Sequence, residues 1–224
     1  MVSTKWLGRF SETHQAMIIY SALFGKYDRP YPAVNHKGVS WMLFTDTPEV
    51  EAPGWQVYKV SSKYGNPRTD SKFWKTHPPS GRTVWIDCHV QVLGTHTIEM
   101  FNRCLDNQNL SLWPHTSRQN IQQEAEFCVR KDLDPNALQQ VQDYRELVPH
   151  PEDLPLWAGG IIARKDANEV CRFNRTWWAH IKKYPERDQL SLPTALYLSG
   201  ARAQSFEGRI SYNDYVGIGE HRPW

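Results

Sequence analysis

Short apolar runs recur along the first half of the chain, and clusters of glycine, proline and charged residues separate them. The run at 16–24, AMIIYSALF, is almost continuously apolar, which is typical of a strand buried on both faces of a sheet. Turn-forming residues at 25–30 end this strand. The runs at 39–46 and 55–60 predict two further strands, the second with clearer alternation of apolar and polar residues.

Helical patterns alternate with strand-like runs over the rest of the chain. The pair Asp134-Pro135 is a strong start signal for a helix that we expect to end near Glu146. The alternation of strands and helices predicts an α/β protein. The other predicted strands lie at 83–90, 110–113 and 156–164, and the other predicted helices at 66–77 (a short half-helix), 97–106, 119–130, 166–183 and from 187 onwards.

The stretch 83–90, TVWIDCHV, is the most informative segment of the sequence. Its apolar run ends in Asp87, as expected of a central strand that delivers a polar group to the edge where open α/β sheets bind ligands. Because side chains alternate along an extended segment, Asp87 and His89 should point the same way and form half of a divalent-cation site. An imidazole ligand favours Mn²⁺ over Mg²⁺. The alternative is that Asp87 caps the following turn and that His89 is structural.

Three other places carry candidate binding groups. Arg68 and Lys72 lie in a short basic segment and are placed to face a phosphate, unless that segment is a solvated turn. The pair Gly159-Gly160 allows a ligand to approach the backbone closely, or else marks a bulge in a strand. Asp188 stands in the first turn of a predicted helix, where it either aims into a cleft or caps the helix.

Composition and charge narrow the class of protein. With 224 residues, 40% of them hydrophobic and 22% charged, the chain has the size of one large domain or two small ones, and we predict one domain. Its formal charge of +2 argues against nucleic-acid binding as the sole function. Four widely spaced cysteines form no disulfide framework, which favours a reducing compartment. No signal peptide or membrane-spanning window is visible, so we predict a soluble, cytoplasmic protein.

A series of motifs gives the chain a family resemblance: IYSALFGKYD, LFTD, WIDCHV, PHTSRQNIQQEAEFC, GGIIARK and RDQLSLPTAL, in that order. Together they resemble the glycosyltransferase-like domain of the plant mucilage-related hexosyltransferase and turgor-regulation family, over roughly residues 17–222. The resemblance implies a single GT-A domain covering 1–224, in which helices flank a Rossmann-like mixed sheet. It also implies transfer of a sugar from a nucleotide-sugar donor, most simply a UDP-sugar, to an unidentified hydroxyl acceptor.

The same resemblance implies which residues form the site. Asp87 matches the acid that binds the metal and the donor diphosphate in GT-A enzymes, and His89 stands where a second acid is usual. The tail from His221 to Trp224 resembles the closing motif of glycogenin-type transferases, whose histidine completes the metal site. The implied metal ligands are therefore Asp87, His89 and His221, and the implied cofactor is a divalent metal, with Mn²⁺ favoured over Mg²⁺. The implied donor-binding residues are Ala22, Phe24, Tyr27, Arg68, Lys72, Asp87, Gly159, Gly160 and Arg222.

Asp188 is the candidate catalytic residue if the chain is a transferase of this kind. In an inverting enzyme, its carboxylate would take the proton from the acceptor hydroxyl. In a retaining enzyme, a polar group near the leaving diphosphate would instead stabilise an oxocarbenium-like centre. The sequence does not separate these two outcomes.

Two other functions stay open at this point. A metal-dependent phosphoesterase also uses aspartate and histidine at strand ends, but a two-metal site needs more carboxylates than the sequence places around Asp87. A nucleic-acid-binding module would use aromatic side chains for stacking and basic side chains for phosphates. DNA or a modified base could also be the acceptor of a sugar transferase. Glycans and proteins are the other candidate acceptors.

Overall fold

The protein folds around a seven-stranded mixed sheet, as seen in a computed structural model that describes residues 16–223. The strands are β1 (Met17–Leu23), β2 (Val39–Thr45), β3 (Gln56–Lys59), β4 (Arg82–Ile86), β5 (Val90–Val92), β6 (Leu110–Pro114), β7 (Trp157–Arg164), β8 (Gln204–Ser205) and β9 (Val216–Ile218). The large sheet has the order β3-β2-β1-β4-β7-β6-β8, and β5 pairs with β9 in a separate antiparallel sheet. Strands β1 to β4 are parallel, whereas β7 is antiparallel to both of its neighbours. The predicted α/β class with a Rossmann-like mixed sheet is confirmed.

Helices cover both faces of this sheet. Alternation along β1 divides the core into two layers: Met17 and Ile19 belong to the layer that contains Phe101, whereas Ile18 and Tyr20 face the other layer. The period of two in a strand thus assigns each apolar residue to one layer. The helices are α1 (Pro67–Thr76), α2 (Thr95–Asn107), α3 (Ile121–Arg130), α4 (Ala137–Tyr144), α5 (Asn168–Lys183) and α6 (Asp188–Ser199).

Helix α1 fills almost the whole of the segment 66–77, for which a short half-helix was predicted, and its start is capped. Its ten residues follow Asn66, whose side chain accepts hydrogen bonds from two backbone N–H groups of the first turn. Proline at the first helical position fits this start. Within residues 16–223, no helix combines the length and the apolar character that a membrane crossing requires.

Helix α4 begins two residues later than the sequence predicts. The expected start was an Asp134 cap followed by Pro135, but the helix starts at Ala137. The Asp134 side chain instead accepts a hydrogen bond from Asn136 N at 2.9 Å, which closes a turn ahead of the helix. The helix also ends at Tyr144, two residues before the predicted end.

Two helix starts offer a matched test of capping. Asn120 precedes α3 and accepts a hydrogen bond from Gln123 N, whereas Asn136 precedes α4 and makes no such bond. Asn120→Ala should therefore lower the free energy of unfolding by about 1 kcal/mol. Asn136→Ala should change it by less than about 0.5 kcal/mol. Urea unfolding of both variants measures the difference, and equal losses would contradict the assigned cap.

Candidate active site

A cavity of about 600 Å³ lies at the carboxyl edge of β1 and β4. Because these strands are parallel, the loops that follow them meet at the same edge of the sheet. The other walls come from α1, the segment leading into α6, and the tail of the chain. The predicted site residues that line the cavity are Phe24, Tyr27, Arg68, Lys72, Asp87, His89, Asp188 and His221.

Four predicted donor-binding residues do not line this cavity: Ala22, Gly159, Gly160 and Arg222. Ala22 is buried within β1. The carbonyl of Gly160 accepts a hydrogen bond from Asp87 N at 2.8 Å, and a Cβ at position 160 would lie 3.2 Å from Asp87 Oδ2. Gly160 therefore leaves room for the Asp87 carboxylate.

The chain turns sharply after β4 and separates Asp87 from His89. The strand ends one residue before Asp87, and Val90 N donates a hydrogen bond to Asp87 O at 2.9 Å, which closes a turn. The prediction that the extended strand continues through His89 is therefore wrong. The side chains of Asp87 and His89 belong to different polar groups on the cavity wall.

Lys75 of α1 bridges two carboxylates from different elements of the fold. Its Nζ lies 3.0 Å from Asp188 Oδ2 and 3.2 Å from Asp87 Oδ1. Trp85 Nε1 also donates a hydrogen bond to Asp87 Oδ1, at 2.7 Å. Lys75 is only 7% exposed, so water screens these charges weakly. The bridge ties the end of β4 and the start of α6 to the last turn of α1.

The bridge shifts the pKa of both the acid and the base. Burial opposes ionisation of Asp188, but Lys75 and then Lys72 outweigh it and hold the pKa of Asp188 well below its usual range. Burial also opposes the charge on Lys75, but Asp188 and Asp87 outweigh it and raise the pKa of Lys75. Lys75 and Asp188 consequently both stay charged at neutral pH.

This low pKa bears on the predicted role of Asp188 as a general base. A general base works best when its pKa lies near the working pH. The carboxylate of Asp188 is instead bound to Lys75, and Lys72 Nζ lies 3.9 Å from its other oxygen. Such a group is a weak proton acceptor, and its oxygens are better suited to accepting hydrogen bonds from substrate hydroxyls.

Lys72 and Arg68 connect α1 to the segment before α6. Lys72 Nζ donates hydrogen bonds to the carbonyls of Pro185 and Glu186. Burial lowers the pKa of Lys72, and attraction to Asp188 partly opposes this. Arg68 pairs with Glu186 at 3.1 Å, and its side chain is 60% exposed. A pair this exposed contributes little to stability, so Arg68 can exchange Glu186 for a ligand phosphate at low cost.

Asp28, His89 and His221 form a second polar group on the cavity wall. Their potential ligand atoms all lie within 4.8 Å of one another, and residues 16–223 contain no other such group of three. His221 Nδ1 is 2.9 Å from Asp28 Oδ2, and the rings of His89 and His221 are 4.8 Å apart. The group contains two of the predicted metal ligands, with Asp28 in the place of Asp87.

Pairing of β5 with β9 brings the tail of the chain to this group. Just beyond the paired strands, Gly219 N donates a hydrogen bond to His89 O at 2.9 Å. His221 follows two residues later and reaches Asp28 in the loop after β1. The other oxygen of Asp28 accepts a hydrogen bond from Arg222 N at 3.0 Å. The carboxylate is therefore oriented by the backbone of the tail.

The three side chains suit a divalent transition metal in ligand number and type. Two imidazoles and one carboxylate are a common metal-binding set that leaves coordination positions for substrate oxygens. Two ligand atoms at about 2.1 Å from one ion lie no more than roughly 4.2 Å apart. The observed spread of 4.8 Å therefore requires only small movements of the side chains.

Arg222 anchors the tail outside the cavity. Its guanidinium lies 3.7 Å from the centre of the Tyr31 ring and donates a hydrogen bond to Arg29 O. The ring of Tyr27 lies 4.6 Å from the ring of His221 on the cavity side. Of the two neighbouring tail residues, His221 lines the cavity and Arg222 holds the tail to the loop after β1.

A buried carboxylate of α3 holds a further cavity residue, Arg187. Glu124 is fully buried, accepts a hydrogen bond from Arg187 Nη2 at 3.0 Å, and also pairs with Arg118. Burial raises the pKa of Glu124, but the two arginines outweigh it and lower that pKa. The network fixes the residue that immediately precedes Asp188.

Lys75 and Asp28 were missed by sequence reasoning. Lys75 lies three residues after Lys72, so helical spacing placed both on one face and offered a usable signal. Asp28 lies among the turn-forming residues predicted at 25–30, but aspartate is common in turns for other reasons. No local pattern relates Asp28 to His221, which follows 193 residues later.

Comparison with known proteins adds no relative, because neither the protein-family models nor the curated proteins contain a match to this chain. The function has to be argued from the site itself.

Removal of the buried cation provides a test of this site. Lys75→Met should lower the free energy of unfolding at pH 7 by roughly 3 kcal/mol, because two carboxylates lose their partner. Because the pKa of Asp188 is low in the native state, its ionised carboxylate stabilises the fold at pH values above the ordinary pKa of a carboxyl group. This stabilisation is lost as the pH falls towards the pKa of Asp188 in the native state. Without Lys75, burial should instead raise the pKa of Asp188. The variant's deficit in free energy of unfolding, relative to the wild type, should therefore be smaller at pH 4 than at pH 7.

Urea unfolding at both pH values measures this change, with Lys182→Met on the exposed side of α5 as the control. A loss that does not depend on pH would contradict the ion-pair explanation.

Proposed function

We propose that this protein is a glycosyltransferase that moves a sugar from a nucleotide-sugar donor to a hydroxyl acceptor with the help of a divalent metal. The observation that carries the proposal is that a group of candidate metal ligands shares one cavity with several cationic side chains. The cavity lies at the sheet edge where open α/β folds bind ligands, and its volume is in the range of small-molecule sites. A departing diphosphate needs this combination of metal and cations.

We assign the metal to Asp28, His89 and His221. When bound there, a divalent ion would act as a Lewis acid and a template for the donor diphosphate. The two imidazoles favour Mn²⁺ over Mg²⁺, which prefers oxygen ligands alone. The Asp28 carboxylate, fixed by the backbone of the tail, would orient the ligand set.

We assign the diphosphate contacts to Arg68 and Lys72. Arg68 lies in the first turn of α1 and Lys72 one turn later, and the capping residue Asn66 of that helix also lines the cavity. A helix amino terminus favours an anion, and the two cations add to that preference. Arg68 would exchange its exposed pair with Glu186 for a phosphate oxygen.

We assign the donor sugar to the part of the cavity beside Asp87 and Asp188. Their carboxylate oxygens can accept hydrogen bonds from sugar hydroxyls, and Lys75 keeps both acids in place. Holding the sugar in one orientation is itself a large part of catalysis. In this assignment Asp188 positions the sugar and does not take the acceptor proton, because its pKa is too low for an efficient base.

The mixed sheet, the acid after β4 and the histidine from the tail support the resemblance to the plant glycosyltransferase-like family. On that basis we propose a GT-A-like domain and a UDP-sugar donor, with the acceptor hydroxyl on a glycan, a protein or a modified nucleobase. A two-metal phosphoesterase is less well supported, since the one candidate ligand group within residues 16–223 contains a single acid.

Donor hydrolysis tests the proposal directly. We expect release of nucleoside diphosphate when the protein is incubated with a panel of nucleotide sugars and Mn²⁺, and loss of that release in excess chelator. Asp28→Asn should reduce the rate of diphosphate release more than about a hundredfold. Loss of a direct metal ligand should cost more than loss of a residue that only hydrogen-bonds to a ligand. Asp106→Asn, at a surface ion pair with Arg82, is the matched control and should keep full activity. Undiminished release in chelator would refute the metal dependence.

The tail offers a second test, because its two neighbouring residues are assigned different roles. His221→Ala should weaken the affinity for UDP with Mn²⁺ by about tenfold or more, since it removes a metal ligand. Arg222→Ala should leave that affinity unchanged but lower the free energy of unfolding by about 1 kcal/mol, through loss of a hydrogen bond and a ring contact. Calorimetric titration and urea unfolding of both variants separate the effects. Unchanged affinity in His221→Ala would exclude it as a ligand.

A further inference from the structure

A second cavity, of about 270 Å³, lies at the opposite edge of the sheet from the proposed active site. Its position follows from the topology, because the antiparallel strand β7 ends beside the start of β4. The walls are the loop before β4, the end of β7 and one side of α5. The proposed transferase reaction does not use this cavity.

The charged side chains around this cavity are mostly cationic. Arg164, Lys165 and Arg175 line it, and the one carboxylate among its lining residues, Asp166, accepts a hydrogen bond from Gly81 N at 2.7 Å. Among residues 16–223, no carboxylate forms an ion pair with any of these three cations. The cavity therefore carries an excess of positive charge.

Arg164 is the unusual member of the set, because it is a charged side chain with only 1% exposure. Its Nη1 donates to Asn174 Oδ1 at 2.6 Å, and its Nη2 donates to the Tyr20 hydroxyl and to Lys75 O. All these partners are neutral, and Arg164 Nε is buried with no partner. A buried cation without a counter-charge is costly, so a bound anion would be strongly favoured here.

We propose that this cavity is a binding site for a small oxyanion, of the class of phosphate monoesters. Guanidinium groups match phosphate oxygens in shape and charge, and Lys165 and Arg175 supply further positive charge at the rim. The volume is slightly below the roughly 300 Å³ at which pockets for drug-sized ligands begin. A sugar phosphate or a free phosphate fits this limit better than a dinucleotide.

A thiol in the cavity wall provides a local reporter. Cys171 is exposed and lines the cavity, whereas Cys88 and Cys128 are buried and Cys104 is intermediate. The rate at which neutral iodoacetamide alkylates Cys171, followed by peptide mass spectrometry, reports whether the cavity is occupied. Cys104 serves as the internal control, and ionic strength is held constant with chelator present.

Glucose 6-phosphate is the probe, with glucose as the uncharged control and inorganic phosphate in a separate arm. At a concentration about ten times its Kd, the probe should leave roughly a tenth of the sites open and slow alkylation of Cys171 about tenfold. Glucose should have no effect. Protection by inorganic phosphate as well would show that the oxyanion alone is recognised.

Rim variants complete the test. Lys165→Gln and Arg175→Gln should each weaken the apparent affinity for the probe about tenfold, because each removes a charge-assisted contact. Lys182→Gln, on the same helix but outside this cavity, should behave as the wild type. Absence of protection, equal protection by glucose, or protection that survives both rim variants would overturn the proposal. Nucleotide-sugar hydrolysis does not enter this assay, so either proposal can fail without the other.

Discussion

One buried ammonium group holds the candidate active site together. Lys75 Nζ contacts carboxylates at the end of β4 and the start of α6, and the carbonyl of Lys75 accepts a hydrogen bond from Arg164. Attraction between buried charges outweighs their loss of hydration only when every partner is in place. The bridge therefore couples the stability of the last turn of α1, the turn after β4 and the first turn of α6.

Most of the framework around that unit was predictable because it depends on local patterns. The almost continuous apolar run of β1 indicates a strand buried on both faces. The amphipathic repeat of α5 indicates a helix buried on one face. The turn at 87–90 was not predictable in the same way, since TVWIDCHV contains neither glycine nor proline to break the strand. The hydrogen bond that closes this turn, from Val90 N to Asp87 O, involves the first residue of β5. β5 pairs with β9, which is distant in the sequence, so local patterns do not indicate it.

The candidate site was only partly predictable, because its key contacts join distant parts of the chain. The bond between Lys75 and Asp188 spans 113 residues, and that between His221 and Asp28 spans 193. His221 was suggested by a resemblance in the tail, but nothing in the sequence decides which of two adjacent tail residues faces the cavity. An irregular tail has no period from which to read a side-chain direction. The direction is set by Tyr31, because the guanidinium of Arg222 packs against the Tyr31 ring.

The charge balance of the cavity supports the proposed metal dependence on physical grounds that do not rest on resemblance. Positive and negative side chains are equally numerous among the lining residues: Arg68, Lys72, Lys75 and Arg187 against Asp28, Asp87, Glu186 and Asp188. All the cations in that set already have protein partners. A nucleoside diphosphate would add negative charge that these side chains cannot neutralise without giving up existing partners. A divalent ion held by Asp28 and the two histidines would supply the missing positive charge at the cavity wall and leave the Lys75 bridge intact.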